Sequence, residues 1–350
     1  MYNPKFSITN SILKNIGRIE ASKEVIENAP LVPAYEAKFR QEAIVRTVHH
    51  GTHIEGNQLD TGEVAAVLSG EEINARDRDV QEILNYRNVL KYIDRKPSKK
   101  KVEFTIYDLL KIHKLPVERV LAKEQSGNLR KTQVVVKNSK TGKVSFTPPP
   151  AGKVQGLVED FVKWLNSDYD IHPVLRAGIV HYVFAYIHPF VDGNGRTARA
   201  FATMVLFADG YDIKKFFSLE EYFDRNAGKY YTRLQQVSNQ KEQLTDKDLT
   251  PWLEYFCEGL AEELEKVKER VKKLSLDSKL KGRTGQIVLS ERQLKLVEYI
   301  EQYGSVSNKQ WRSLLRDFSD DTILRDLKDL QKKKLIKKKG STKGAVYVLK

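Results

Sequence analysis

Apolar positions recur at helical spacing through most of the chain. AYEAKFRQEAIVRTVHH and DRDVQEILNYRNVLKYID each set apolar side chains on one helix face, which predicts helix from Ala34 to about Ile93, interrupted near Gly51, Gly56 and Asn57. Phe104 to Leu115 repeats the pattern. The period then changes. VVVKNSKTGKVSF, Val134 to Phe146, holds two β-prone runs around Asn138-Ser139-Lys140-Thr141-Gly142 and predicts a hairpin. Pro148-Pro149-Pro150 ends its second strand, because proline has no N–H to give the ladder. VQGLVEDFVKWLN, PVLRAGIVHYVFAYIHPF and TARAFATMVLFADG return to helical spacing, followed by LEEYFDRNAGKYYTRLQQVS and LTPWLEYFCEGLAEELEKVKERVKKL. Pro251 falls near the first turn of the last of these, where a missing N–H costs little.

SLDSKLKGRTGQIVLS, from Ser275 to Ser290, is polar with two glycines and predicts a linker. Beyond it, ERQLKLVEYIEQYG, SNKQWRSLLRDF and SDDTILRDLKDLQKKKLI predict three short amphipathic helices, with Ser319, Asp320 and Asp321 as capping candidates for the third. LIKKKGSTKGAVYVLK then predicts a hairpin around Gly340 to Gly344. Three helices and a terminal hairpin in about 60 residues describe a winged helix-turn-helix. The expected fold class is mainly α with a β-hairpin, followed by this small α+β domain.

Composition adds scale and exclusions. At 350 residues the chain has length for two or three units, and 40% hydrophobic with 30% charged residues excludes disorder as its main state. The net charge of +14 is unevenly placed: residues 1–265 hold 37 Lys and Arg against 36 acidic residues, whereas residues 266–350 hold 23 against 10. The excess therefore belongs to the last quarter, a hint of nucleic-acid contact that a solvated lysine face would also produce. A single cysteine, Cys257, cannot form an internal disulfide, and MYNPKFSITN lacks the basic and apolar regions of a secretory signal, so a cytoplasmic location is expected. Apolar runs fall short of the roughly 18 residues that span a bilayer, so no membrane partner is expected.

Chemistry concentrates in HPFVDGNGRTAR, His188 to Arg199, between two apolar helices. Gly193 and Gly195 let backbone N–H groups turn inward, and a loop feeding a helix N-terminus presents those donors with the positive dipole end to an anion. Arg196 and Arg199 supply planar forks for phosphate oxygens, Asp192 is a hard oxygen ligand suited to Mg²⁺ beside phosphates, and His188 can accept a proton near neutral pH. A base, a metal ligand, an anion nest and two arginines describe phosphoryl-type transfer. Taken singly, DGNG is also a common turn and His188 also fits a core histidine. A GxxxxGK[ST] sequence is absent, which excludes a P-loop.

The stretch resembles the Fic family signature HxFx(D/E)GNGRxxR at each specified position: His188, Phe190, Asp192, Gly193, Asn194, Gly195, Arg196 and Arg199. The resemblance implies a protein adenylyltransferase that moves AMP from ATP to a Ser, Thr or Tyr hydroxyl of a target protein. His188 would then deprotonate the hydroxyl, and Asp192 would hold Mg²⁺. Gly193, Asn194, Gly195 and Arg196, with Thr197 beside them, would bind the phosphates, and Arg199 would contact the γ-phosphate. It also makes Val134 to Phe146 a flap that holds a target segment by strand addition, and sets Tyr230 and Tyr231 near the adenine. Alone, the hairpin is equally a structural element and the tyrosines equally core residues. Homodimerisation is a further implication of the family.

GTHIEGN, Gly51 to Asn57, resembles the family's inhibitory pattern (S/T)xxxE(G/N), with Gly51 at the Ser/Thr position and Thr52 one residue later. On that resemblance Glu55 pairs with Arg199 and opposes productive placement of the γ-phosphate, and the same glutamate could activate water to remove AMP. His49 and His53 form an alternative, a metal site on one helix face, without a cysteine cluster or glutamate base to complete it. The expected organisation is an N-terminal helical region (1–100), a catalytic core (101–274), a linker (275–289) and a winged helix (290–350). A rival reading makes the chain a DNA-binding regulator. Against it, the third terminal helix carries Asp320, Asp321, Asp326 and Asp329 against Arg325 and Lys328, so its groove face reads as net acidic, and protein docking is an equal candidate.

Overall fold

The computed structural model describes residues 2–31, 33–95, 102–137, 142–167, 170–241, 243–281, 289–340 and 345–349. They divide into two compact units, Met1–Asn28 with Glu42–Arg270, and Ala29–Gln41 with Val271–Lys350. The expected division at residue 100 is not observed, because helices on both sides of it pack into the first unit. Helix α1 (Asn10–Glu27), which the sequence pattern did not reveal, belongs to that unit. Its N-cap Thr9 bonds to Glu254, Arg18 pairs with Glu265, and Ile12, Ile19 and Ile26 are buried at every seventh position.

Helix α2 (Pro33–His53) runs unbroken through Gly51, contrary to the predicted interruption. Its end leads through a turn at residues 54–57 to α3 (Thr61–Ser69), which begins with an Asp60–Glu63 capping box and ends on left-handed Gly70. With α4 (Asp77–Asp94) these elements enclose a cluster of Val48, Leu59, Val64, Val67, Ile83 and Tyr86. Helix α5 (Ile106–Lys114) starts with a second capping box, Thr105 and Asp108. The expected hairpin forms from β1 (Val136–Lys137) and β2 (Val144–Phe146), antiparallel, with Lys137 opposite Val144. Its tip, residues 138–141, lies outside the described residues.

Helices α6 (Val154–Leu165), α7 (Pro173–Ile187) and α8 (Asn194–Ala208) follow. α7 buries side chains around its whole circumference, as its near-continuous apolar sequence requires, and α8 packs along it. α9 (Leu219–Arg225), α10 (Ala227–Ser238) and α11 (Thr250–Lys281) complete the series. The linker expected from Ser275 is corrected: residues 275–281 continue α11, because that stretch lacks glycine and proline and is rich in helix formers up to Gly282. Residues 282–288 lie outside the described residues. Cys257 is buried on α11, and burial pushes its thiol up to about 12, consistent with a structural role.

In the second unit, α12 (Glu291–Tyr303), α13 (Asn308–Leu314) and α14 (Asp320–Lys332) appear in the predicted order, capped by Ser290, Ser307 and Ser319. The terminal strands β4 (Ile336–Lys339) and β5 (Val346–Leu349) are joined by an unpredicted two-residue strand, β3 (Val306–Ser307), in the antiparallel order β3-β5-β4. The hairpin tip, residues 341–344, lies outside the described residues. Leu296, Ile300, Trp311, Ile323, Leu327, Leu330 and Tyr347 form this unit's own core. Among the described residues no helix is long and apolar enough to cross a membrane.

Candidate active site

The loop between α7 and α8 is held by its own side chains. His188 ends α7 in the left-handed region (φ 49°), with its N–H on Phe184 O at 3.0 Å. Phe190 is buried and stacks on the His113 ring, centroids 3.6 Å apart and planes within 3°. Asn194 closes the turn: its Oδ1 accepts from the Phe190 N–H (3.0 Å) and its Nδ2 donates to Phe190 O (2.9 Å). Thr197 is buried and its hydroxyl donates to Gly193 O at 2.7 Å. The side chains of Asn194 and Thr197 therefore bond within the loop and shape it. The first backbone N–H groups of α8 are the donors that an anion would meet there.

Two residues that sequence reasoning missed fix this loop from outside. His113 on α5 accepts the Gly127 N–H at Nδ1 (3.0 Å), so Nε2 carries the proton and donates to Asp192 O at 2.9 Å. Burial drives its pKa down to about 4, against the pull of the Asp192 carbonyl, so it stays neutral. Arg130 is the second. Its Nε donates to His188 O (2.8 Å), its Nη1 to Thr132 O (3.2 Å) and its Nη2 to Pro149 O, while its own N–H bonds Pro189 O at 2.9 Å. One buried guanidinium thus ties the motif loop to the residues flanking both strands of the hairpin.

His188 Nδ1 lies 3.3 Å from Ala185 O, which sets the proton on Nδ1 and leaves Nε2 as the acceptor. Burial lowers its pKa to about 4, while the Ala185 carbonyl, Glu55 and Asp192 oppose that shift and Arg130 reinforces it. Asp192 is exposed, with its Oδ1 accepting the Gly193 N–H at 2.5 Å. No group of three His, Cys, Asp or Glu side chains able to hold a metal occurs among the described residues, so a cation here would rely on Asp192 and on its own substrate or water.

Both motif arginines are buried and incompletely paired. Arg196 Nη1 lies 3.3 Å from Glu82 Oε1 without hydrogen-bond geometry, and its Nε has no hydrogen-bond partner among the described residues. Arg199 Nη2 donates to Glu55 Oε1 (2.9 Å) and Gly51 O (2.9 Å), while its Nε and Nη1 are unsatisfied. Buried donors without acceptors are costly, and a polyphosphate is the acceptor that would satisfy them. The Glu55–Arg199 pair expected from the sequence is therefore formed, with the Arg199 side chain 1% and that of Glu55 27% exposed. Gly195 permits it, since a Cβ there would sit 2.3 Å from Glu55 Oε1.

Gly51 at the Ser/Thr position has a steric cause: a Cβ would meet the buried Tyr86 ring at 2.8 Å. The neighbouring Thr52 does not substitute, because its hydroxyl bonds Val48 O and His49 O on its own helix. Asn57 anchors the turn by donating to Asp79 O and Glu82 Oε2, both at 3.1 Å. Tyr230 is buried, with its hydroxyl 3.1 Å from His181 Nε2, and burial pushes it up to about 12. Tyr231, 47% exposed, packs edge-on against it at 5.0 Å. Of the two, only Tyr231 presents an open ring face. The alternative metal site at His49 and His53 is not formed: the rings stack at 5.4 Å, and His50 and His53 both direct Nδ1 to Asp224.

Residues 103–206 match the family model described as Fic/DOC family. Over 252 residues the chain is 29% identical to a protein of Culex quinquefasciatus named protein adenylyltransferase Fic, an alignment covering 70% of this chain and 46% of that one. Over 182 residues it is 33% identical to the protein of the same name from Drosophila willistoni, covering 50% and 34% respectively. The chain spans less than half the length of these curated relatives. The crystal structure of a Fic family protein from Desulfovibrio desulfuricans G20 shares the fold, with a TM-score of 0.68 at 23% identity over 100% of this chain and 98% of that chain. The chain is thus similar to the Fic/DOC family over residues 103–206, and to Fic proteins in fold.

Proposed function

We infer that the chain is a protein adenylyltransferase, which transfers AMP from ATP to a Ser, Thr or Tyr hydroxyl of a target protein and is restrained by Glu55. The observation that carries this reading is the convergence on one loop of His188 Nε2, the α8 N-terminus and two buried guanidiniums with unsatisfied donors. The target oxygen attacks the α-phosphorus of ATP, its proton passes to His188 Nε2, and the bond to the departing pyrophosphate breaks. Arg196, Arg199 and the first N–H groups of α8 hold the phosphates where negative charge builds. Asp192 suits Mg²⁺, a cation that takes one or two carboxylates beside substrate phosphates and neutralises their charge.

Glu55 occupies the Arg199 face that a γ-phosphate would use, so its pairing competes with productive ATP placement. Val135, just before β1, and Val144, on β2, are 43% and 54% exposed and fit docking of an extended target segment by strand addition. Residues 290–350 are read as a winged helix. Mass spectrometry of the Glu55→Gly protein, incubated with ATP and Mg²⁺ beside a cell lysate, tests the reading: AMP should appear on the protein itself and on a target, and vanish in Glu55→Gly/His188→Ala. Unmodified protein in both samples, or AMP transfer that survives His188→Ala, overturns it.

A further inference from the structure

Glu55 stands just beyond a weak stretch of helix. Gly51 lies inside the last turn of α2, where a glycine disfavours the helix through its backbone entropy. Past it the main chain folds on itself: the Ile54 N–H donates to His50 O (3.3 Å), the Glu55 N–H to Thr52 O (3.0 Å) and the Gly56 N–H to His53 O (2.8 Å). Residues 50–56 are thereby one piece, and whatever holds His50 and His53 also holds Glu55.

The group that holds them is Asp224, in the last turn of α9, with its side chain 8% exposed. His50 Nδ1 lies 2.7 Å from Asp224 Oδ2, and His53 Nδ1 lies 2.9 Å from both carboxylate oxygens. Burial alone would raise the Asp224 pKa, but the hydrogen bonds from the two histidines outweigh it and hold the carboxyl below its ordinary value. An ionised carboxylate only accepts, so both imidazoles keep a proton on Nδ1 and donate it. The α9 dipole disfavours an anion in this turn, and the neighbouring Arg225 pairs with Glu221 instead, so Asp224 relies on the imidazoles. Its side-chain hydrogen bonds go to α2 and not to the motif loop. One turn before His50, Arg46 pairs with Glu221 at 2.6 Å and donates to Phe216 O at 3.0 Å, which fixes the body of α2 independently. Opening at Asp224 would thus free the piece beyond Gly51 without moving the helix before it.

We propose that Asp224 is a latch on the restraint: by gripping His50 and His53 it keeps Glu55 on Arg199, and its release opens the site while Glu55 is still present. This rests on the adenylyltransferase reading and adds to it the control of Glu55. The test is the initial rate at which the full chain incorporates AMP into itself from ATP and Mg²⁺, read by mass spectrometry. Asp224→Ala should raise that rate about tenfold or more, the effect of losing charge-assisted hydrogen bonds. His53→Ala, at a side chain 52% exposed whose loss leaves the core intact, should raise it by a smaller factor of about three. In a Glu55→Gly background Asp224→Ala should leave the rate within about twofold, because nothing remains to be latched. Mere destabilisation would lower incorporation in both backgrounds, so this pattern separates a latch from a structural role. Incorporation by Glu55→Gly with no rise in either latch variant overturns the latch alone, and so does an equal rise in the Glu55→Gly background. Absence of incorporation by Glu55→Gly refutes the adenylyltransferase reading and the latch with it.

Discussion

Glu55 Oε1 lies 2.9 Å from Arg199 Nη2, and a methyl group on Gly195 would lie 2.3 Å from that same carboxylate oxygen. The two positions are therefore energetically coupled. Gly195→Ala displaces the carboxylate and strips a buried guanidinium of its counter-charge, so it should destabilise the chain by about 1–3 kcal/mol in urea denaturation. In a Glu55→Gly background the obstruction is gone, and the same substitution should be close to neutral. Equal costs in both backgrounds would refute the coupling.

The His188 imidazole, held neutral by burial with a pKa near 4, needs no deprotonation at physiological pH. For AMP incorporation by Glu55→Gly, the acid limb of kcat/KM should therefore break well below the ordinary histidine value of about 6.5. A limb centred at that value would show that the base is exposed to solvent in the competent enzyme.

Arg130 touches no reacting atom; it positions His188 through the main-chain carbonyl. Arg130→Lys retains the charge but cannot reach His188, Thr132 and Pro149 together. In the Glu55→Gly enzyme it should lower kcat by about 10- to 100-fold with little change in the KM for ATP, since small misplacement of a catalytic group has that effect. A change confined to KM would remove the positioning role.

His113 and His181 are both fully buried, and burial holds them near 4 and near 3. Unfolding releases each to an ordinary value near 6.5, so the unfolded chain binds more protons between those limits. Stability should be unaffected by these groups above about pH 6.5 and should fall below it, by up to about 1.4 kcal/mol per pH unit for each histidine until its folded pKa is reached. Urea midpoints from pH 7 to 4.5 read this out. His113→Gln should shed its share of the slope, and an undiminished slope would exclude His113 as a source.

The candidate loop was legible because its chemistry is contiguous: twelve residues carry the proposed base, the carboxylate and both arginines. What holds the loop was not. His113 and Arg130 are lone polar residues in unrelated segments, and nothing in their local pattern marks them until the fold brings them to the Asp192 and His188 carbonyls. Asn194 and Thr197 turn their side chains onto the loop itself, since a short side chain beside a turn can bond its own backbone as readily as a ligand. α1 escaped the periodicity reading because its fully buried isoleucines come only once in seven residues. On α14, Asp326 and Asp329 bond Arg292 and Gln293 on α12, a placement that composition does not show.

The contact between Gly51 and Tyr86 also constrains how this sequence can change. A hydroxyl at position 51 would match the usual pattern of the inhibitory segment, but Gly51→Ser by itself drives a side chain into the buried Tyr86 ring, and shrinking Tyr86 first leaves a void and removes its hydrogen bond to Glu220. Each single step leads downhill in stability while the pair together need not. The two positions form a mutational valley, so descendants of this chain should keep or exchange them jointly.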